Sequence, residues 1–423
     1  MLSFYYIAIH NSPNLEAGSV AHFIVNLIKG VTMIFSKFLN ATNWYKRPYT
    51  EILDEVREIT EYLDQHSNFK QVWLSEHHLQ TTNNWTMECV PNPILLGADL
   101  ASRTKNIRIG LAAAIATFWN PLRLAEDVAL LDNLASGRLD VGLGRGVFGK
   151  EAIHMNLEAD LKDQPKNFRL FVETLEILKK AWSQDYFSHS GEFYTYPAPD
   201  FKYSNPLLNE TSDVVDPETN VLKKISIVPK PYQKELPLWQ VVDSPSSIEF
   251  AAKNGLNCLM WLPTIASLKS RFEIYANAKS EAEQRDVPMG EGIALVRDCF
   301  IADTMEEAKE LAGEHFLRYL VSVCGGGRGV SIFANPGEEL PKTENPIDLL
   351  TYDWIHPRNQ LVGTAEFVTE KIHELKTELN LQHLAIWSNP PGMPHDASMK
   401  SLKLFNEKVA PHFSDDKLIK KVS

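Results

Sequence analysis

The chain has 423 residues, of which 44% are hydrophobic and 23% charged, the balance of a globular protein with a large core. Fifty-four acidic against 42 basic side chains leave a formal net charge of −12 and a pI near 5.6. That excess argues against nucleic acid or an anionic membrane as partner, so any bound phosphate must be held by a few local donors.

The first 30 residues read as an N-terminal extension. The opening MLSFYYIAIHNSP has neither the basic region nor the small-residue cleavage site of a secretory signal. The apolar stretch SVAHFIVNLIKGVTMIFSKFL contains His22, Asn26, Lys29 and Lys37, and so falls short of the nearly uncharged run of about 20 residues that spans a bilayer. Residues 31–39 (VTMIFSKFL) predict the first strand, and YTEILDEVREITEYLDQH a following amphipathic helix capped by Thr50. KQVWLSE is the second strand, with PILLGADLASR after it. IRIGLAAAIA is the third, followed by PLRLAEDVALLDNLAS, where Pro121 suits a first helical turn. RLDVGLG leads into FRLFVETLEILKKAW. After an irregular polar stretch at about 185–235 come LWQVV with SSIEFAAKNG and NCLMWL with SLKSRFEIYANAKSEAEQ. GIALVRDCFIA with TMEEAKELAGEHFLRYL and HLAIWS with ASMKSLKLFNEKVAPHF complete the series.

Short apolar runs each followed by a helix imply a parallel sheet buried on both faces. Eight such units predict an α/β fold, a (β/α)8 TIM barrel over residues 31–415 with a short C-terminal tail at 416–423; an open doubly wound sheet is the alternative. The segment 321–360, rich in glycine and proline, is too long for a plain connection and reads as a lid-like insertion before the last strand. The four cysteines, Cys89, Cys258, Cys299 and Cys324, are scattered with no CxxC spacing, which fits a reducing, cytoplasmic location with Cys258 and Cys299 as apolar strand residues.

In a barrel, chemistry gathers where the strands end. Glu76-His77-His78 follow strand two, Arg145 strand four, and Asp243-Ser244 strand five. Adjacent side chains on an extended chain point to opposite sides, so His77 and His78 do not jointly grip one metal ion. A structural pair and a substrate-facing acid/base remain. Ser244, Ser246 and Ser247 open the helix SSIEFAAKNG, where free N–H groups and hydroxyls suit an anion; serines there are equally ordinary N-caps. GLGRGVFGK is glycine-rich but lacks the spacing and final Ser/Thr of a P-loop. Arg145 and Arg169 flank the fourth loop and together could clamp a phosphate or form surface ion pairs.

VWLSEHHL, RIGLAAAIATFWNPLRLAEDVALLDNLASGRLDVGLGRG, VVDSPSSIEFAAKNG and GMPHDASMKSLKLFNEKVAPHF together resemble the bacterial luciferase-like, flavin-dependent monooxygenases, in order from about residue 31 to 413. The resemblance implies reduced FMN at the strand ends, supplied by a separate flavin reductase, reacting with O2 to a C4a-peroxyflavin that oxygenates a small organic substrate. It makes His77 the catalytic residue. Around the flavin it places Glu76, the phosphate ligands Arg145, Arg169, Ser244 and Ser247, the backbone of Asp243, Trp261 beside the ring, and a cis peptide at Ala112-Ala113. It also implies a soluble, cytoplasmic dimer, expected here as a homodimer. Gly144 stands where light-emitting members carry a reactive cysteine, which speaks against a luciferase in the strict sense. A deazaflavin-dependent oxidoreductase of the same fold, and a non-catalytic subunit of a heterodimer, are the alternatives.

Overall fold

In a computed structural model the structure describes residues 32–79, 90–203, 213–325 and 329–413; the expected N-terminal extension and C-terminal tail lie outside the described residues. The strands in chain order are β1 (Ile34–Leu39), β2 (Phe69–Leu74), β3 (Arg108–Ile115), β4 (Leu139–Gly144), β5 (His189–Ser190), β6 (Thr195–Tyr196), β7 (Leu238–Val241), β8 (Asn257–Met260), β9 (Ile293–Ile301), β10 (Leu361–Gly363) and β11 (His383–Trp387). Eight of them, β1–β4, β7–β9 and β11, pair in parallel around a closed ring, in which β9 joins β8 to β11 and β11 joins β1. This is the expected (β/α)8 barrel, and all eight predicted strand segments form its staves. The short β5 and β6 make an antiparallel hairpin inside the irregular stretch.

The helices are α1 (Tyr49–His66), α2 (Pro93–Arg103), α3 (Pro121–Leu134), α4 (Gly149–Met155), α5 (Gln164–Ser183), α6 (Pro245–Lys253) and α7 (Ile265–Glu283). Next come α8, assembled from Met305–Ala308, a π-helical stretch Lys309–Gly313 and Glu314–Val323, then α9 (Tyr352–Asn359), α10 (Ala365–Leu379) and α11 (His395–Leu404). Asn120 caps α3 by accepting from Leu122 N and Arg123 N, with Pro121 in the first turn as expected. Helix α1 begins one residue before Thr50, after Pro48, and has no side-chain cap.

Strand alternation divides the buried residues into two layers. Phe35, Leu39, Val72, Leu74, Ile109, Leu111 and Leu295 pack outward against the helices, while Phe38, Trp73, Trp239, Val296, Ala385 and Trp387 share the interior cluster. Cys258 and Cys299 are buried strand residues, as expected, and belong to the outward layer.

The helix assigned from sequence to the seventh unit is displaced. Helix α8 does not lie in the outer ring: Ala312, Phe316, Tyr319, Leu320 and Val323 join the interior cluster with Trp387 and Leu262, over the end of the barrel. The outer position between β9 and β11 belongs instead to α10, whose Val368, Ile372, Leu375 and Leu379 enter the outward layer. The segment expected as a lid, where described, is folded: Phe333 is fully buried, Arg358 pairs with Glu338 at 2.8 Å, and Ser267 Oγ donates to the Ala334 carbonyl at 3.0 Å.

Candidate active site

The ends of β1 to β4, β7 and β8, with α8 arching over them, enclose a cleft with about 1200 Å³ of space out to its mouth. Its walls include Glu76 and His77 after β2, Ala112 and Ala113 in β3, Arg145 after β4, Asp243, Ser244 and Ser247 after β7, and Trp261 after β8. Nine of the ten site residues expected from sequence therefore share one cavity. Arg169 is not among those lining it.

The floor depends on an irregularity in β3. Its pairing with β4 shifts register between Leu111 and Ala114, and the intervening Ala112–Ala113 peptide is cis, as the resemblance implied. Gly142 of β4 crosses beneath this point; a Cβ there would lie 2.0 Å from the Leu111 carbonyl oxygen, so only glycine lets the two strands close.

Two buried glutamates hold the opening EHH stretch. The Glu76 carboxylate accepts from Ile115 N at 2.8 Å and from the indole Nε1 of Trp119 at 3.1 Å, and it pairs with His78 Nε2 at 2.8 Å. It thereby ties the end of β2 to the end of β3. His78 is turned away from the cleft toward this carboxylate, whereas His77 lines the cleft beside the Phe148 ring. The two rings diverge as expected, but outside the strand: β2 ends at Leu74, and Ser75, Glu76 and His77 all line the cleft. Glu151 of α4 is the second acid: its Oε1 accepts His78 N–H at 2.9 Å and lies 3.5 Å from His77 Nδ1. Sequence reasoning missed Glu151, because nothing in the chain spacing links position 151 to position 77.

At the other end of the cleft, Ser244 caps α6 through a 3.3 Å bond from Ser247 N–H to its Oγ, and its hydroxyl meets that of Ser247 at 2.9 Å. The capping reading is thus met, and both serines also line the cleft. Arg145 is half-buried beside the Phe168 ring, and no carboxylate among the described residues forms an ion pair with it. Burial without an acid pushes its guanidinium pKa down, an arrangement relieved by an incoming anion. Arg169 instead projects from the surface of α5, where Glu192 takes its guanidinium at 2.8 Å and raises its pKa.

The third wall is aromatic. Trp261 stacks on Tyr319 with centroids 5.7 Å apart and meets Phe38 at 5.4 Å; its indole Nε1 donates to Asp298 at 3.1 Å. Burial holds the Asp298 carboxyl up at about 6 despite the Gln360 and Trp261 donors and the neighbouring Arg297. Asn40 and Ser75 add neutral polar groups, with Ser75 Oγ donating to Asn40 Oδ1 at 2.9 Å and Asn40 Nδ2 to the Tyr319 hydroxyl at 3.2 Å. No trio of potential metal ligands is clustered among the described residues.

A parallel barrel whose strand ends carry a capped helix N-terminus, a cleft histidine and an aromatic wall has the layout of a small-molecule site. The family model for luciferase-like monooxygenases matches residues 33–382, and the chain belongs to that family. Among its relatives, the oxygenase component of the flavin-dependent trigonelline monooxygenase of Acinetobacter baylyi is 27% identical over 376 residues, covering 87% of this chain and 92% of that one. The 3,6-diketocamphane 1,6-monooxygenase of Pseudomonas putida is 27% identical over 361 residues, 80% of this chain and 87% of that one. Among solved structures, the oxygenating constituent of a 3,6-diketocamphane monooxygenase in complex with FMN superposes with a TM-score of 0.69 at 22% identity, covering 90% of this chain and 98% of that chain. An F420-dependent secondary alcohol dehydrogenase shares the fold at a TM-score of 0.64 and 16% identity, over 91% of this chain and all of that chain. No helix among the described residues is long and apolar enough to cross a membrane.

Proposed function

We propose that this chain is the oxygenase component of a two-component system. It would take reduced FMN from a separate reductase and use O2 to oxygenate a small organic substrate, with release of water. The observation that carries this reading is Arg145: a half-buried guanidinium with no ion-pair partner among the described residues, facing the same cleft as the capped N-terminus of α6. That donor set fits a phosphate dianion.

In this reading Arg145, Ser244, Ser247 and the α6 N–H groups hold the phosphate, and Ala112, Ala113 and Trp261 flank the ring system. Arg169 joins only by exchanging Glu192 for the phosphate. Glu76 acts at one remove, since its carboxylate is occupied by Ile115, Trp119 and His78. When bound, the reduced flavin supplies two electrons and the centre at which oxygen is activated. The chain contributes the rest. His77 exchanges a proton at the cleft wall, and the Phe38, Trp261 and Tyr319 rings keep water from the reacting centre. Helix α8 and the segment 321–360 act as the lid.

The test is a direct titration. The protein should bind FMN with an affinity that Arg145→Ala weakens, and reduced FMN with O2 should yield product from ketones, aldehydes or N-heterocycles. Tighter binding of F420 than of FMN, with no O2-dependent product, would replace this reading by a deazaflavin dehydrogenase. Binding of FMN with no turnover of any substrate would favour the non-catalytic subunit.

A further inference from the structure

We propose that Glu151 is the positioning partner of His77, holding the imidazole by Nδ1 and favouring its protonated form. The inference rests on reading His77 as the proton-exchanging group, and it assigns a role to a residue outside the expected set.

Helix α4 is a short excursion after β4, and an apolar rim position would be the ordinary fate of its inward face. Instead it buries a carboxylate: Glu151 is 2% exposed, with Ala152 beside it completely buried. The His78 backbone N–H fixes one oxygen of that carboxylate at 2.9 Å. The same oxygen lies 3.5 Å from His77 Nδ1, at the distance of a charge pair that tightens when the ring gains a proton. Phe148, three residues before Glu151, packs against the His77 ring with centroids 5.5 Å apart, so one loop supplies both the electrostatic partner and the steric stop. Lys150 anchors this loop by donating from Nζ to the Leu79 carbonyl at 2.7 Å.

Among the described residues, the other charged groups near His77 are held elsewhere. Glu76 is bound to His78, Trp119 and Ile115; Arg145 stands by the Phe168 ring; and the Lys150 ammonium is held at the Leu79 carbonyl. Among the described residues, Glu151 is the carboxylate placed to act on the ring. With Nδ1 facing Glu151, we assign the proton exchange with the cleft to Nε2. In this arrangement the proton moves between Nε2 and the reacting group.

The test reads His77 directly, by NMR titration of its imidazole in the flavin-free protein, so it does not depend on whether FMN is the cofactor. In Glu151→Gln the His77 midpoint should fall by about one pH unit, and Glu151→Asp, which keeps the charge, should restore most of that loss. In turnover, Glu151→Gln should lower kcat about tenfold, leave KM unchanged and move the alkaline limb of the pH profile downward with the NMR midpoint. An unchanged His77 midpoint in Glu151→Gln overturns the proposal, as does a lowered midpoint that Glu151→Asp fails to recover. If Glu151→Gln does not fold, Glu151→Ala is read in its place, and an unchanged His77 midpoint there overturns the proposal equally. A shifted midpoint in a protein that binds no FMN would sustain the pair and reject the proposed cofactor.

Discussion

At the scale of single residues, the proposed function separates groups that hold from groups that react. Arg145 belongs to the first kind. Arg145→Ala should weaken FMN by about 1.5–3 kcal/mol, the range for charge-assisted hydrogen bonds, as read by isothermal titration. Arg169→Ala should cost less, because Arg169 must first give up Glu192. The histidines divide in the same way. His77→Ala should keep FMN affinity and thermal stability while losing on the order of 10²-fold in single-turnover product formation. His78→Ala removes the Glu76 partner and should cost stability first, visible as a lower Tm with a milder loss of rate. Equal rate defects in the two variants would place the wrong histidine in the cleft.

At the scale of elements, the irregularity between β3 and β4 depends on a glycine. Gly142→Ala would drive a methyl group into the Leu111 carbonyl at the β3–β4 register shift; a loss of about 3 kcal/mol in urea unfolding is expected. The eight staves were legible because each is a short apolar run between turn signals, and a parallel barrel buries both faces of every strand. The helix order was less legible. Residues 365–379 carry a helix signal, Thr364 as cap and an amphipathic spacing, but a count that already pairs every strand with a helix leaves no seat for α10. What demotes α8 to the barrel mouth is three-dimensional: the fit of Phe316 and Tyr319 against Trp387. The site shows the same divide. His77, Arg145 and Ser244 were legible because each follows a strand end. Glu151 and the Arg169–Glu192 pair were not, since both depend on loops folding back across distances that no local pattern encodes.

At the scale of the whole molecule, buried ionisable groups set how stability follows pH. Burial lowers Lys37 to about 7, although its Nζ donates to Asn389 Oδ1 at 2.6 Å and to the Phe38 carbonyl at 3.0 Å. Between about 7 and its ordinary 10.5 the unfolded chain binds more protons at this site than the native chain, so stability rises with pH across that window. The rise should be clearest below about pH 8.5, above which the buried thiols of Cys258 and Cys299, whose pKa values are pushed up, begin to oppose it. On the acid side two groups act against each other. Burial lowers His383 to about 4, which adds stability as pH climbs toward 6.5; burial raises Asp298 to about 6, which removes it as pH climbs from 3.8. Urea midpoints should therefore change little between about pH 4.5 and 6 and climb from 7 to 8.5, and Lys37→Met should abolish the climb.

The strand β10 has a consequence for how such a barrel acquires new chemistry. Its Gly363 lies beside Ile301 of β9, and Ala302 N–H donates to the Gly363 carbonyl at 3.1 Å. The whole excursion from Asp303 to Gln360, including α8 with its Tyr319 and Val323 in the cleft wall, therefore leaves and rejoins the barrel at neighbouring points. A segment with adjacent ends is a cassette. It can be lengthened, shortened or exchanged without moving a stave, so that wall of the cleft is free to diverge while Arg145 and the α6 turn stay fixed.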